Sequence, residues 1–308
     1  MAAEASKFTF LVTGEGGQVG EALRRTLEPL GEVVIPTLAE WDMTDADATR
    51  KMVREVCPRW VVNAAAHTAV DKAESEPESA FAINATAPGI LAEEARKIGA
   101  VMVHYSTDYI FDGTKATPYI ESDSANPLNV YGRSKLAGEL AVSASGAAYV
   151  TFRTSWVYGA TGNNFVRSIL RLAREREHLR IVADQHGAPT WSFELARLTA
   201  DVIGQVERLA ERDKCSISEA ARPLSGEYHA TGSGETTWYG FAARAIAELQ
   251  KREPAAKLAT VEPIPTTEYP TPAKRPMNSR LDCSKLGRTF GWRMPEWSDS
   301  LATVVGLL

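Results

Sequence analysis

With 308 residues, 44% hydrophobic and 24% charged, the chain has an ordinary globular composition and length for one sizeable core or for a large and a small domain. Its 34 basic and 39 acidic residues leave a net charge of −5, which excludes a general nucleic-acid surface, since displacing counterions needs a basic excess. No run nears the roughly 18 apolar residues of a membrane span, and Cys57, Cys215 and Cys283 lack ligand spacing, so they read as reduced thiols rather than a disulfide frame or zinc site.

The opening "MAAEASKFTFLVTG" has no charged segment followed by a long apolar one, so a cytoplasmic protein is expected. "FTFLVT" (8–13) predicts a strand that runs into glycines, and 18–30 then reads as an amphipathic helix. Further apolar runs at 32–36, 60–66, 101–108 and 149–159 alternate with helical patterns at 44–56, 74–98 and 129–145. Continuous apolar strands separated by helices predict a parallel sheet covered on both faces, wound in both directions by right-handed crossovers. After Tyr158 the regularity falls away into a loop, an arginine-rich helix and a short strand. A helix at 192–212, a polar connection at 212–227, a strand at "YHATG" and a proline-rich, irregular tail from "PIPTTEYPTPAKRPMNSRLD" complete the chain. The expected division is a sheet domain over 1–158, rejoined by 188–232, and a smaller substrate-binding lobe over 159–187 and 233–308.

"VTGEGGQVG" places Gly14, Gly17 and Gly20 between the first strand and the first helix, with Gln18 and Val19 in the same turn. Small residues there let the backbone turn tightly and approach a pyrophosphate seated on the helix N-terminus. The GxGxxG spacing fails, because the third position counted from Gly14 and Gly16 is Val19; the pattern is GxxGxxG, with the same physics. A tight turn needs glycine anyway, but this position, strand before and helix after, favours a nicotinamide dinucleotide and a Rossmann-like α/β fold. The region after the second strand, "IPTLAEWDMTD", offers Glu40, Asp42 and Asp45 and no cation for a 2′-phosphate. Glu15 adds repulsion if it faces the ribose, so NADH is expected to serve, with NADPH left open.

In "NVYGRSKLAGE" (129–139), Tyr131 and Lys135 share one helix face. An ammonium beside a phenol stabilises the phenolate and lowers a pKa that is ordinarily ~10. Such a phenol can serve as a proton donor, and the lysine can also hold the nicotinamide ribose. Thr107, at the end of the 101–108 strand, would hydrogen-bond a substrate carbonyl where an open α/β sheet places its ligand. Alone, Tyr and Lys at this spacing are common on solvated helices; with the glycine loop and a strand-end threonine they indicate a reductase.

These motifs resemble the extended short-chain dehydrogenase/reductase family over nearly the whole chain. "NAAAHTAVDKAE", "HYSTDYIFDG", "FRTSWVYG", "GNNF", "DQHGAPT" and "RPMNSRLD" are similar to one branch, the dTDP-4-dehydrorhamnose reductases. The resemblance implies NAD(P)H-dependent reduction of the 4-keto group of dTDP-4-dehydro-6-deoxy-L-mannose to dTDP-L-rhamnose, for cell-surface polysaccharide. It implies that Asn63, Ala64 and Ala65 line the cofactor's ribose and pyrophosphate and that Asp42 and Met43 border the adenine. Trp156 would stack near the sugar, with Asp108 beside Thr107 as a further substrate contact, and Asn164, Arg275, Asn278 and Ser279 would reach the diphosphate. A dianionic diphosphate wants arginine forks and amide donors, and "KRPMNSR" offers three cations, although a solvated loop reads the same way. Trp156 reads equally as a core aromatic, and His67 and His104 read as structural.

Two departures carry information. Related dehydratases have Thr-Asp-Glu, whereas here Tyr109 follows Thr107 and Asp108, which favours reduction. Some reductases of the branch bind magnesium between subunits through three glutamates; Ala22, Phe193 and Ser298 stand at those places, with Glu21, Glu194 and Glu296 as neighbours. No metal is therefore expected, and a monomer or weak homodimer follows. Two other readings stay open: a non-catalytic, NADP-binding regulatory subunit of the methionine adenosyltransferase type, and a nucleotide-sugar epimerase.

Overall fold

The computed structural model describes residues 8–308; the leader expectation falls largely on 1–7, outside the described residues. Six strands form one parallel sheet: β1 (Phe8–Thr13), β2 (Gly31–Val34), β3 (Trp60–Asn63), β4 (Val101–Thr107), β5 (Ala148–Thr154) and, from the second half of the chain, a strand at Gly226–His229. Their spatial order is β2-β1-β3-β4-β5 followed by the 226–229 strand, so the winding reverses between β1 and β3. That reversal opens a crevice at the carboxyl ends of the strands, where ligands of such sheets bind.

The helices follow from the apolar spacing. α1 (Gln18–Leu27) buries Ala22, Leu23 and Leu27 against Phe10, Val12 and Val62 on one face of the sheet. α2 (Ala46–Val56), whose first turn is capped by the Asp45 carboxylate, lies on the other face with Leu11, Val61 and Met102. The 74–98 segment is not the single helix its pattern predicts. After a short α3 (Val70–Ala73), it forms α4 (Pro77–Phe81), a π-turn at Ala82–Thr86 and α5 (Ala87–Ile98). The interruption has two causes: prolines at Pro77 and Pro88 start helices, and Asn84 turns inward. Its amide oxygen accepts the His67 N–H at 2.8 Å while its Nδ2 donates to Ser134 Oγ at 2.9 Å. Ser134 belongs to α6 (Val130–Ala144), whose Asn129 cap accepts the Gly132 N–H at 2.8 Å.

The 149–159 run also divides. β5 ends at Thr154, and a two-residue β6 (Val157–Tyr158) follows a turn in which Trp156 adopts φ +47°. α7 (Phe165–Glu175), β7 (His178–Val182), β8 (His186–Gly187) and β9 (Thr190–Trp191) lead to α8 (Ser192–Asp213), which packs Leu195, Leu198 and Val202 into the α1 core. The 212–227 connection holds a short helix, α9 (Ile217–Ala221), closed by a Ser216–Glu219 capping box and burying Ile217 and Ala221. The sheet strand is β10 (Gly226–His229). Then come β11 (Thr236–Thr237), α10 (Trp238–Arg252), β12 (Thr260–Ile264), which pairs with β7, α11 (Ser284–Phe290) and α12 (Trp297–Leu307). A separate core of Tyr158, Leu170, Phe241 and Leu301 supports this lobe. Among the described residues no helix is long and apolar enough to cross a membrane.

Candidate active site

A cleft of about 740 Å³ runs along the carboxyl end of the sheet from the glycine loop to α10. Two loop glycines shape the turn by sterics. Gly14 has φ +83°, and a Cβ there would lie 2.8 Å from Ala65 N; one on Gly20 would meet the Gly14 carbonyl oxygen at 2.0 Å. Gly16, outside the repeat read from the sequence, has nothing within 4 Å of a built Cβ and faces open cleft. Gly17 caps α1 without any side-chain acceptor for the first-turn N–H groups, which leaves them and the helix dipole for an anion. A pyrophosphate therefore fits here. Gly14, Gly17, Gln18 and Val19 line the cleft, whereas Gly20 lies behind it and closes the turn.

Ala64, Ala65, Asp42 and Met43 also line the cleft, joined by Leu38 and Thr44, which no motif marked. Asn63 does not. It is fully buried, accepting from Thr13 Oγ1 at 2.6 Å and facing His104 Nδ1 at 3.0 Å. It ties the strand ends together. The Asp42 carboxylate accepts the Thr44 hydroxyl and N–H at 2.7 and 2.9 Å, and these bonds hold it below the usual range. Glu15 lies outside the lining, 3.8 Å from Arg24. Lys135 is the one Lys or Arg among the lining residues.

Thr107, Tyr131 and Lys135 meet in the middle of this cleft. β4 delivers Thr107 at its last position, and the first turns of α6 deliver the other two. Lys135 is 2% exposed and donates to the Tyr105 carbonyl at 2.5 Å. Burial lowers its ammonium to about 8, against an opposing pull from Glu139. The lowered phenol expected of the Tyr–Lys pair is not found: burial pushes Tyr131 up to about 12, with the Thr107 hydroxyl working the other way. Desolvation of a phenolate outweighs an amine that is already tied to a carbonyl. Beside them Asp108 is pushed up to about 7, again by burial, and the Ser279 and Thr107 hydroxyls oppose the shift.

The substrate residues divide. Asp108, Trp156 and Asn164 line the cleft. Trp156 stacks on Trp238 with centroids 3.8 Å apart, and Trp238 lines the cleft as well. Sequence reading missed Trp238, because its place depends on a partner far back in the chain. Asn164 caps α7 and donates to Gln18 Oε1 at 3.1 Å and the Gly159 carbonyl at 2.9 Å, linking the lobe to α1. Arg275, Asn278 and Ser279 lie outside the lining, contrary to expectation. Arg275 pairs with the Asp71 carboxylate at 2.8 Å, and Asn278 donates to the Lys115 and Thr117 carbonyls at 2.6 and 2.9 Å. The cations of "KRPMNSR" thus do not converge: a nearby carboxylate holds Arg275, and Glu235 holds Arg280 at 2.8 Å.

No group of three or more His, Cys, Asp or Glu able to hold a metal occurs among the described residues. Glu21 bonds Arg25 at 2.6 Å, Glu194 bonds Arg197 at 3.1 Å, and Glu296 stands at the N-cap of α12.

The family model described as the RmlD substrate binding domain matches residues 8–308. The dTDP-4-dehydrorhamnose reductase of Burkholderia thailandensis is 48% identical, the match covering 93% of this chain and 94% of that protein. That of Escherichia coli K12 is 44% identical, covering 93% of each. Among solved structures, the Clostridium acetobutylicum reductase superposes with a TM-score of 0.87 at 36% identity, covering 97% of this chain and 99% of that one. The Bacillus anthracis reductase, solved in complex with NADP, gives 0.84 at 32% identity, covering 97% and 98%. With the whole described chain matched and the glycine loop, Thr107, Tyr131 and Lys135 opening on one cleft, this chain belongs to the dTDP-4-dehydrorhamnose reductase family.

Proposed function

We infer that the protein reduces the 4-keto group of dTDP-4-dehydro-6-deoxy-L-mannose to dTDP-L-rhamnose, with NADH or NADPH as reductant, for polysaccharide synthesis. The observation that carries this reading is that a strand-end threonine, a phenol and a buried amine share one cleft with a glycine turn open to a pyrophosphate.

The dinucleotide, when bound, supplies the hydride to the sugar carbon. The N–H groups of Gly16 and Gln18 would hold its pyrophosphate, Ala64 and Ala65 its ribose side, Asp42 and Met43 its adenine, and Lys135 its nicotinamide ribose. Tyr131 is protonated at neutral pH and hands that proton to the C4 oxygen as charge builds there. An alkoxide is about as basic as hydroxide, whose conjugate acid has a pKa of 15.7, so even a phenol near 12 is acid enough. The Lys135 ammonium then steadies the phenolate. Trp156 and Asn164 are assigned to the substrate side, the first as a stacking face and the second as a link that shapes the pocket. In this reading the sheet domain holds the cofactor, and the lobe over 159–187 and 233–308 shapes the sugar site. A cytoplasmic monomer or weak homodimer is proposed.

The test follows absorbance loss of NADH and NADPH in parallel, with dTDP-4-keto-6-deoxyhexose supplied through an epimerase. NADH is expected to be used, because no arginine lines the adenosine end, with NADPH left open. If neither is oxidised, the reading fails.

A further inference from the structure

The Thr107 hydroxyl carries one proton and two lone pairs. It donates that proton to Asp108 Oδ1 at 2.9 Å and accepts the Tyr109 N–H at 3.2 Å. Thr107 and Asp108 are 4% and 3% exposed, yet both line the cleft, and Asp108 Oδ2 is buried with no hydrogen-bond partner.

While Asp108 is ionised, the pair holds a single proton, used between the two residues, and Thr107 can donate outward only by giving up its bond to a buried carboxylate. When Asp108 is neutral, the pair holds two: one joins the residues, and the other is free to point into the cleft. A ketone oxygen only accepts; Tyr131 supplies one donor, and a second hydrogen bond from this pair needs a proton pointing into the cleft. We propose that Asp108 must carry a proton for the Thr107–Asp108 pair to hydrogen-bond the C4 oxygen of the keto sugar, and that binding this sugar draws a proton onto Asp108 when it is ionised. The proposal rests on the reductase reading above and adds a protonation step to it.

The surroundings agree. Tyr131 faces Asp108 from α6, Tyr109 from the same turn and Ser279 from the tail, while the Arg275–Asp71 ion pair lies beyond Tyr109. The polar groups around the carboxyl are hydroxyls and amides, so no cation offsets its loss of water, and its value near 7 places both states within reach at neutral pH.

The experiment is calorimetric titration of the whole protein with a dTDP-4-keto-6-deoxyhexose at pH 8, without dinucleotide, in buffers of different ionisation enthalpy. The dependence of heat on buffer counts the protons taken up. Wild type is expected to take up a clear fraction of one proton per site, and Asp108→Asn, whose amide has donors at every pH, measurably less. Equal uptake in the two proteins, or none in wild type, overturns the proposal. A wild-type infrared difference spectrum gives a second reading that needs no variant. A protonated-carboxyl stretch gained on binding at pH 8 is expected, and its absence overturns the proposal. Failure of the sugar nucleotide to bind at all sinks the reductase reading, whereas binding without proton uptake sinks only the part assigned to Asp108.

Discussion

At the scale of single residues, the site works by choosing which groups keep their protons in a dry setting. Tyr131 is held protonated by burial, and Lys135 is lowered to about 8 by the same cause. Tyr131→Phe removes the proton but not the ring, so turnover should fall by ~100-fold or more, with cofactor affinity nearly unchanged. Equal turnover in the two proteins would remove Tyr131 from the chemistry. The lysine sets a direction in pH. Its charge is present below about 8 and lost above it, so kcat should decline as pH rises through that value. In Asp108→Asn, where the carboxyl no longer titrates, the remaining decline should centre near the Lys135 value. An Asp108→Asn profile flat to pH 10 would show that the amine is not needed in its charged form.

At the scale of elements, two glycines four residues apart do different things. Gly20 sits where α1 passes the Gly14 carbonyl, and an added Cβ would meet backbone at 2.0 Å. Gly20→Ala should therefore distort the turn and destabilise the fold by about 1–3 kcal/mol. Gly16→Ala has open space, so melting temperature should hold while cofactor affinity drops by ~10-fold or more, as expected when about 1.4 kcal/mol of contact is lost. If both variants changed stability and affinity alike, the division between fold and site within the turn would be wrong. On the opposite face of the sheet, α2 and α5 are joined by Arg54 and the buried Glu94, 2.7 Å apart, with Lys97 adding a second bond. The Arg54 bond leads the causes that lower the Glu94 carboxyl to about 2 from an ordinary 4.5. Its contribution is thus full above the unfolded value and is lost as pH falls from 4.5 towards 2. Glu94→Gln should cost about 1–3 kcal/mol at pH 7 and much less at pH 3. Thermal melts giving the same loss at both pH values would refute the linkage.

At the scale of the whole molecule, the cleft lies where the sheet reverses its winding between β1 and β3, lined by residues from both halves of the chain. Two contacts join the halves there: the Trp156–Trp238 stack and the Asn164–Gln18 bond. Trp238→Ala should raise the sugar-nucleotide KM by about 5- to 100-fold, equivalent to ~1–3 kcal/mol, with a smaller change for the cofactor. The reverse order would place the stack on the cofactor side. Local patterns carried much of this into view. Alternation of apolar runs and helical periods specified a parallel sheet, because a buried strand must be apolar on both faces. The glycine turn and the Tyr131–Lys135 spacing were legible because each acts within a few residues. The π-turn at Ala82–Thr86, the Asp71–Arg275 pair, the place of Trp238 and the high pKa values of Asp108 and Tyr131 were not. Each depends on which distant group arrives beside it and on how much water the packing removes, and tertiary structure alone decides both.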